Sequence, residues 1–269
     1  MTMRRRQMLS HTIGWGCGCL MGCRSAPYTG RSQLMLIPES QELVLGEDAY
    51  QEVLRTEPLS KNGAWQALVQ RTGERIAAVS GRTDYHWQFQ LLASEQQNAF
   101  CLPGGKVAVY EGIMPICQNE AGLAVVMSHE VAHALARHGG ERMSQQAGVQ
   151  TVSGVLGYAM TGYSPVTRDL VMRAYGAGTQ VGYVLPHSRK HELEADRIGI
   201  QLMAQAGYDP SEAPRFWKRF GESNSEKPAE WLSTHPSDQR RAEELTELLP
   251  EADLAYQSAP QRWGTGEAV

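Results

Sequence analysis

The chain has 269 residues, 42% of them hydrophobic and 20% charged, which suits one globular domain of about 200 residues plus appendages. Its formal charge of -4 becomes -7 without Arg4, Arg5 and Arg6, because residues 1–22 hold no acid, and so acidic a chain is a poor partner for nucleic acid. No stretch reaches about 20 apolar residues, so no transmembrane helix is expected.

Residues 1–22 read as a targeting segment: a basic start through Arg6, a modestly apolar run to Gly22, and then Cys23. Leu20-Met21-Gly22-Cys23 resembles a bacterial lipobox, in which the cysteine is lipidated and becomes the new N-terminus. On that reading the protein sits in the periplasm, held to the outer membrane by a lipid on Cys23. Arg24 is not the aspartate that favours inner-membrane retention in enteric bacteria. The competing reading is an amphipathic start to a cytosolic protein, since His11, Cys17 and Cys19 weaken the apolar run.

Residues 23–45 are polar and without periodicity, as a tether would be. Helical patterning begins near Leu45 and continues through Trp65 and Leu68 to Val79, with Gly81 as a stop. Residues 87–91 alternate, and Lys106–Tyr110 are strand formers following a Pro103-Gly104-Gly105 turn. The expectation is a small antiparallel sheet with residues 98–100 at its edge. Cys101 and Cys117 read as buried free thiols.

Residues 119–138 read as one helix, capped by Asn119 and stopped at Gly139-Gly140. They contain His129-Glu130-x-x-His133. Residues four apart share a helix face, so His129 and His133 can converge on one ion while Glu130 reaches a water beside it. That is two metal ligands and a general base. His138 falls off the ligand face and is expected to cap or to be exposed. Further on, Glu192-Leu-Glu-Ala-Asp196 supplies Glu192 as a third ligand, completing the two-histidine, one-carboxylate set of a catalytic zinc with an open position. Asp196, one turn later, is placed to accept the free ring N–H of a ligating histidine. Glu194 reads as a solvated or salt-bridged helix residue.

His129-Glu-Val-Ala-His133 with Glu192-x-x-Ala-Asp196 resembles the HtpX-like branch of the gluzincin metallopeptidases. That group includes CAAX prenyl proteases, mitochondrial stress peptidases and bacterial periplasmic lipoprotein peptidases. The resemblance runs from about residue 46 to 250 and extends to Asn98-Ala-Phe-Cys-Leu-Pro-Gly-Gly105, Leu185-Pro-x-Ser-Arg189, Gly207-Tyr-Asp-Pro210 and Ser233-Thr-His-Pro236 with Arg241. It implies an α+β fold, a mostly helical zincin-like minigluzincin core with a small antiparallel sheet, and one zinc ion per chain. It also places Asn98 and Ala99 on a sheet edge beside the metal, where an extended substrate adds as a strand. The alternative is that Asn98 merely closes a turn. His235 is implied near the zinc, as a resting fourth ligand or an oxyanion stabiliser, with Arg241 beside it. A departure from the family pattern is His187, where an aromatic residue is usual.

Residues 147–162, rich in small residues, would suit a flap near the cleft. Asp209-Pro-Ser-Glu212 opens one helix, residues 237–249 form another stopped by Pro250, and 251–269 read as a frayed polar tail. The domain plan is therefore a signal at 1–22, a tether at 23–45, a zinc metallopeptidase domain at 46–250 and a tail at 251–269. The function expected is a zinc endopeptidase of the bacterial envelope, acting on unfolded or misassembled proteins, with an envelope assembly complex as a partner. A zinc-stabilised periplasmic chaperone is the competing reading, and Glu130 discriminates the two: catalysis needs it and zinc binding does not.

Overall fold

The computed structural model describes residues 23–149, 174, 188–223, 235 and 239–269. In chain order these form β1 (Cys23–Ser25), β2 (Ser32–Leu34), α1 (Glu39–Thr56), α2 (Gly63–Val79), β3 (Gln88–Leu92), β4 (Ala99–Leu102), β5 (Lys106–Tyr110), α3 (Met114–Cys117), α4 (Glu120–Leu135), α5 (His138–Val149), α6 (Arg189–Gln205), α7 (Glu212–Ser223) and α8 (Gln239–Ser258). The class is α+β and mostly helical. No helix among the described residues is long and apolar enough to cross a membrane.

Every residue of α4 is buried. A helix with no exposed face must be covered on all sides, and α2, β4, α6 and α7 pack around this one. Asn119 starts it as expected, its Oδ1 accepting the Gly122 N–H at 2.9 Å. Its end comes earlier than expected. Arg137 takes a left-handed conformation (φ 58°) and α5 begins at His138, with Gly139 and Gly140 inside its first turn. A non-glycine residue holds that conformation because its guanidinium is anchored: Nε and Nη2 donate to the Glu42 carboxylate at 3.2 and 2.7 Å. Gly140 serves close approach instead, since a Cβ there would stand 2.1 Å from Glu42 Oε1.

The three-stranded sheet is mixed rather than antiparallel. Its order is β3-β5-β4, with β4 antiparallel to β5 across the expected turn and β3 parallel to β5. Alternation identifies a strand but not its direction, which is set here by the 93–98 connection carrying the chain to the far edge before it returns through the middle. Cys101 and Cys117 are buried and unbridged.

Both ends of the chain depart from expectation. Residues 23–45 are not a loose tether: they form the β1–β2 hairpin and the start of α1, with Ala26, Met35 and Leu45 buried. The helical pattern to Val79 is interrupted at 57–62, where Pro58 disfavours helix at Glu57, and Gly81 (φ 70°) follows the end of α2. α8 does not stop at Pro250 but runs to Ser258. A mid-helix proline costs about 3 kcal/mol; burial of Leu245 and Ala252, with Leu248, Leu249 and Ala255 packed beside them, offsets it. Residues 259–269 are not frayed. They return to the head of α4, where the otherwise unpaired Glu120 and Ala121 N–H groups donate to the Glu267 and Thr265 carbonyls at 2.8 and 3.0 Å. Arg75 lies 3.5 Å over the Trp263 ring. The flap expected at 147–162 lies, beyond Val149, outside the described residues, as does His187.

Candidate metal centre and active site

Three helices and one loop residue build the site. α4 presents His129, Glu130 and His133, α6 presents Glu192 and Asp196, α8 presents Arg241, and His235 enters from between α7 and α8; all are buried. The approach of α6 to α4 depends on Gly199, where a Cβ would lie 3.1 Å from the His129 N and 3.2 Å from its Cα. Residues 192, 196 and 199 share one helix face, so the close contact at Gly199 aims Glu192 and Asp196 at the histidines.

His129, His133, Glu192 and His235 each offer a donor atom, all within 4.8 Å of one another. His129 Nε2 lies 3.1 Å from His133 Nε2, 3.4 Å from Glu192 Oε2 and 3.4 Å from His235 Nδ1. Glu192 Oε1 lies 3.4 Å from His133 Nε2 and 3.1 Å from His235 Nδ1. A zinc tetrahedron with bonds of about 2.0–2.1 Å has edges of about 3.3 Å, so these separations fit one ion at the centre. Glu192 Oε2 makes no aligned hydrogen bond among the described residues although Arg241 Nη1 is 2.8 Å away, leaving a buried carboxylate oxygen facing the centre.

The electrostatics agree. Burial alone would disfavour a charged ring at His129, but the Asp196 and Glu192 carboxylates outweigh it and raise its pKa to about 9. At His133 burial prevails over Glu192, and with the neighbouring imidazoles it pushes the pKa well below the ordinary value. Burial works against the Glu192 carboxylate too, yet His235, Arg241 and His129 hold it well below the usual range. A divalent cation bound by these donors would compete with protons for the same nitrogens.

Each ligand-type histidine is also held from behind. His129 Nδ1 lies 3.0 Å from Asp196 Oδ1, and Arg241 grips Asp196 with two bonds of 2.6 and 2.7 Å while its guanidinium carbon sits 3.7 Å over the Trp217 ring. His138, expected to cap or to be exposed, is fully buried, with Nδ1 2.9 Å from His133 Nδ1 and Nε2 3.1 Å from Glu194 Oε2. Glu194 is likewise buried rather than solvated, and it is salt-bridged to Arg31. Glu130 faces His235, Oε1 to Nε2 at 3.4 Å.

Asn98 and Ala99 are not among these donors; they lie at the head of β4, which packs on α4 and whose outer edge pairs with no strand among the described residues. Asn98 Oδ1 accepts from the Ala99 N–H at 3.0 Å, and its carbonyl accepts from Tyr110 N at 3.0 Å, extending the ladder by one residue. Cys23 is exposed at the start of β1. The sequence reading missed Trp217, Gly199 and Arg31, none of which belongs to a local motif, and it misplaced His138. Only the spacing of Gly199 from Glu192 and Asp196 carried a signal.

Residues 64–249 match peptidase family M48. The chain belongs to that family. As an M48 peptidase it is a metalloendopeptidase, and its His/His/Glu/His cluster could hold the metal ion that such chemistry requires. It is 35% identical over 238 residues to the mitochondrial metalloendopeptidase OMA1 of Schizosaccharomyces pombe, which covers 87% of this chain and 68% of that one. It is 31% identical over 257 residues to the Saccharomyces cerevisiae protein of the same name, covering 87% and 71%. The beta-barrel assembly-enhancing protease of Yersinia pestis is 31% identical over 217 residues, 78% of this M48 chain but 44% of that relative.

Proposed function

We propose that the protein is a zinc endopeptidase of a bacterial cell envelope that hydrolyses unfolded or misassembled envelope proteins. The observation that carries the catalytic part is Glu130 beside a four-donor cluster of zinc dimensions. His129, His133 and Glu192 would hold a zinc ion, which would supply a Lewis acid to polarise the scissile carbonyl and to make water acidic near neutral pH. Glu130 takes the proton of the attacking water and passes it to the leaving amine. Asp196 and Arg241 keep the His129 ring oriented. Arg241, 2.8 Å from Glu192, also adds positive charge beside the place where the oxyanion develops. β4, with Asn98 and Ala99 at its head, offers the edge on which an extended substrate lies.

His235 favours the reading of a resting fourth ligand over that of an oxyanion stabiliser. Its Nδ1 stands 3.1–3.4 Å from two other donors, at the corner a substrate or water would otherwise take. The envelope setting rests on the lipobox-like Leu20–Cys23 run, the exposure of Cys23, and the name of the Yersinia relative, a beta-barrel assembly-enhancing protease. The relatives named OMA1 are mitochondrial, so the compartment needs its own test.

The central experiment compares wild type with Glu130→Gln on an unfolded protein, with zinc content measured on both. Equal proteolysis would sink the enzymatic assignment, and the chaperone reading would then predict that both variants suppress aggregation alike. For the anchor, palmitate labelling should be lost in Cys23→Ser and the protein should move to the soluble envelope fraction. Unprocessed chain in the cytosol of wild-type cells would reject the envelope setting.

A further inference from the structure

His129 is backed by a carboxylate that is itself fixed by an arginine, and His133 is backed by a second relay of the same kind assembled from distant segments. His133 Nδ1 meets His138 Nδ1 at 2.9 Å, and His138 Nε2 meets Glu194 Oε2 at 3.1 Å. Glu194 in turn accepts from Arg31 Nε at 2.5 Å and from the Thr29 hydroxyl, both on the β1–β2 hairpin. The Arg31 fork continues to Glu141 on α5, with Nη1 and Nη2 3.0 and 2.6 Å from its two carboxylate oxygens. Glu141 also meets His191 Nε2 at 3.1 Å, and the His191 ring stacks on His138 with centroids 4.4 Å apart and planes 20° from parallel. The relay is therefore braced on both sides.

We propose that His138, Glu194 and Arg31 are positioning residues for the metal site, and that the N-terminal hairpin is thereby a working part of that site. This inference rests on the reading of His133 as a ligand through Nε2. The chemistry fixes each proton. A histidine that ligates through Nε2 in its neutral form carries its hydrogen on Nδ1, so His133 donates to His138 Nδ1. His138 must then hold its own hydrogen on Nε2, where the Glu194 carboxylate can only accept. Glu194 needs a fixed cation to stay aligned, and Arg31 meets it and Glu141 together. Carboxylate and imidazole partners of this kind raise the basicity of a ligating histidine and lock its ring, and their loss weakens metal binding by about 10- to 100-fold. Arg31 lies only eight residues after Cys23 and outside the family-matched segment, so whatever holds or moves the hairpin acts on His133 through Glu194 and His138.

The test measures the zinc dissociation constant of the full chain by competition with a chromophoric chelator, for wild type, His133→Ala, His138→Ala, Glu194→Gln, Arg31→Ala and Arg31→Lys. Thermal unfolding of each zinc-free protein is recorded in parallel. Expected are a loss of about 10- to 100-fold for His138→Ala and Glu194→Gln, a smaller loss for Arg31→Ala, and partial recovery in Arg31→Lys, with the zinc-free Arg31→Ala protein still folded but less stable than wild type, because Glu141 and Glu194 lose a partner. Arg31 is part-exposed on a surface hairpin, so its variants report even where replacement of buried His138 prevents folding. Wild-type affinity in Arg31→Ala and Glu194→Gln, with His133→Ala impaired, would overturn the relay alone. Wild-type affinity in His133→Ala would instead remove the ligand assignment on which it stands. Nitrogen-15 imidazole spectra of the zinc-loaded wild type give an independent readout. Hydrogen on His133 Nδ1 and on His138 Nε2 is expected, and hydrogen on His138 Nδ1 would refute the proposal.

Discussion

Glu192 and Glu194 are two residues apart on α6, about 200° around the helix, and the rotation alone gives them different work. Glu192 turns its carboxylate to His129, His133 and His235; Glu194 turns to His138 and the hairpin. Glu192→Ala should therefore reduce zinc affinity more than Glu194→Ala, by removing a ligand instead of a support, and equal zinc retention in chelator competition would reassign the third ligand. Glu130→Gln should keep about one zinc per chain and lose about 10²- to 10⁴-fold in turnover, the range for loss of a general base. For His235 the sign of a single rate decides. His235→Ala should raise basal hydrolysis of an unfolded protein if the ring holds the fourth position at rest, as its contact with Glu192 indicates. A fall of about 10²- to 10³-fold, with zinc retained, would make it an oxyanion stabiliser.

The meeting of α4 with α6 is the element-scale feature on which those residues depend, and Gly199 is a point of close approach within it. Because the neighbouring atoms are backbone atoms of Ser128 and His129, they cannot swing away. Gly199→Ala should cost about 1–3 kcal/mol as overpacking does, and should also weaken zinc binding by moving Glu192 and Asp196 outward. Gly221→Ala in α7, where an added Cβ meets nothing, is the matched control and should be neutral or stabilising by up to about 1 kcal/mol. Urea unfolding of the zinc-free proteins checks the first effect and chelator competition the second. This contact also marks what the sequence could and could not reveal. The approach of His129, His133, Glu192 and Asp196 was legible because each pair sits one turn apart on a helix whose period is known. His138 was misread because the helix was carried past Leu135 to two glycines; the break at Arg137, which turns His138 back toward His133, depends on a bond to Glu42 some 95 positions away. The parallel pairing of β3 was hidden for a similar reason, since alternation is blind to strand direction. The hairpin and the C-terminal segment escaped because they dock through backbone groups and ion pairs, and their polar composition matches that of loose chain.

At the scale of the whole molecule, those two terminal segments close the fold around buried carboxylates. Glu141 receives Arg31 of the N-terminal hairpin. Glu120, at the head of α4, receives Arg71 and Arg75 of α2, the Tyr208 hydroxyl and the backbone N–H of Glu267 in the C-terminal segment. Burial would by itself raise both acids. Bonds to His191 and Arg31 nevertheless bring Glu141 down to about 2, and Arg71, Tyr208, Glu267 and Arg75 hold Glu120 below its ordinary value. A carboxyl whose folded pKa is depressed stabilises the fold fully above its unfolded pKa, and the contribution disappears as pH falls through the folded value. For Glu141 that window runs from about 4.5 down to about 2. The melting temperature should accordingly show little pH dependence from these groups between pH 8 and 5, where their stabilisation is fully present, and fall steeply below pH 4.5. Glu141→Gln and Glu120→Gln should each lower it at pH 7 and flatten the acid limb, because the group that would take up the proton is gone. Thermal unfolding from pH 8 to 2 on the zinc-free proteins measures this without interference from metal release. Acid limbs of Glu141→Gln and Glu120→Gln that run parallel to wild type would mean that other carboxylates govern the loss, and that the ends of the chain are held by their backbone bonds and packing alone.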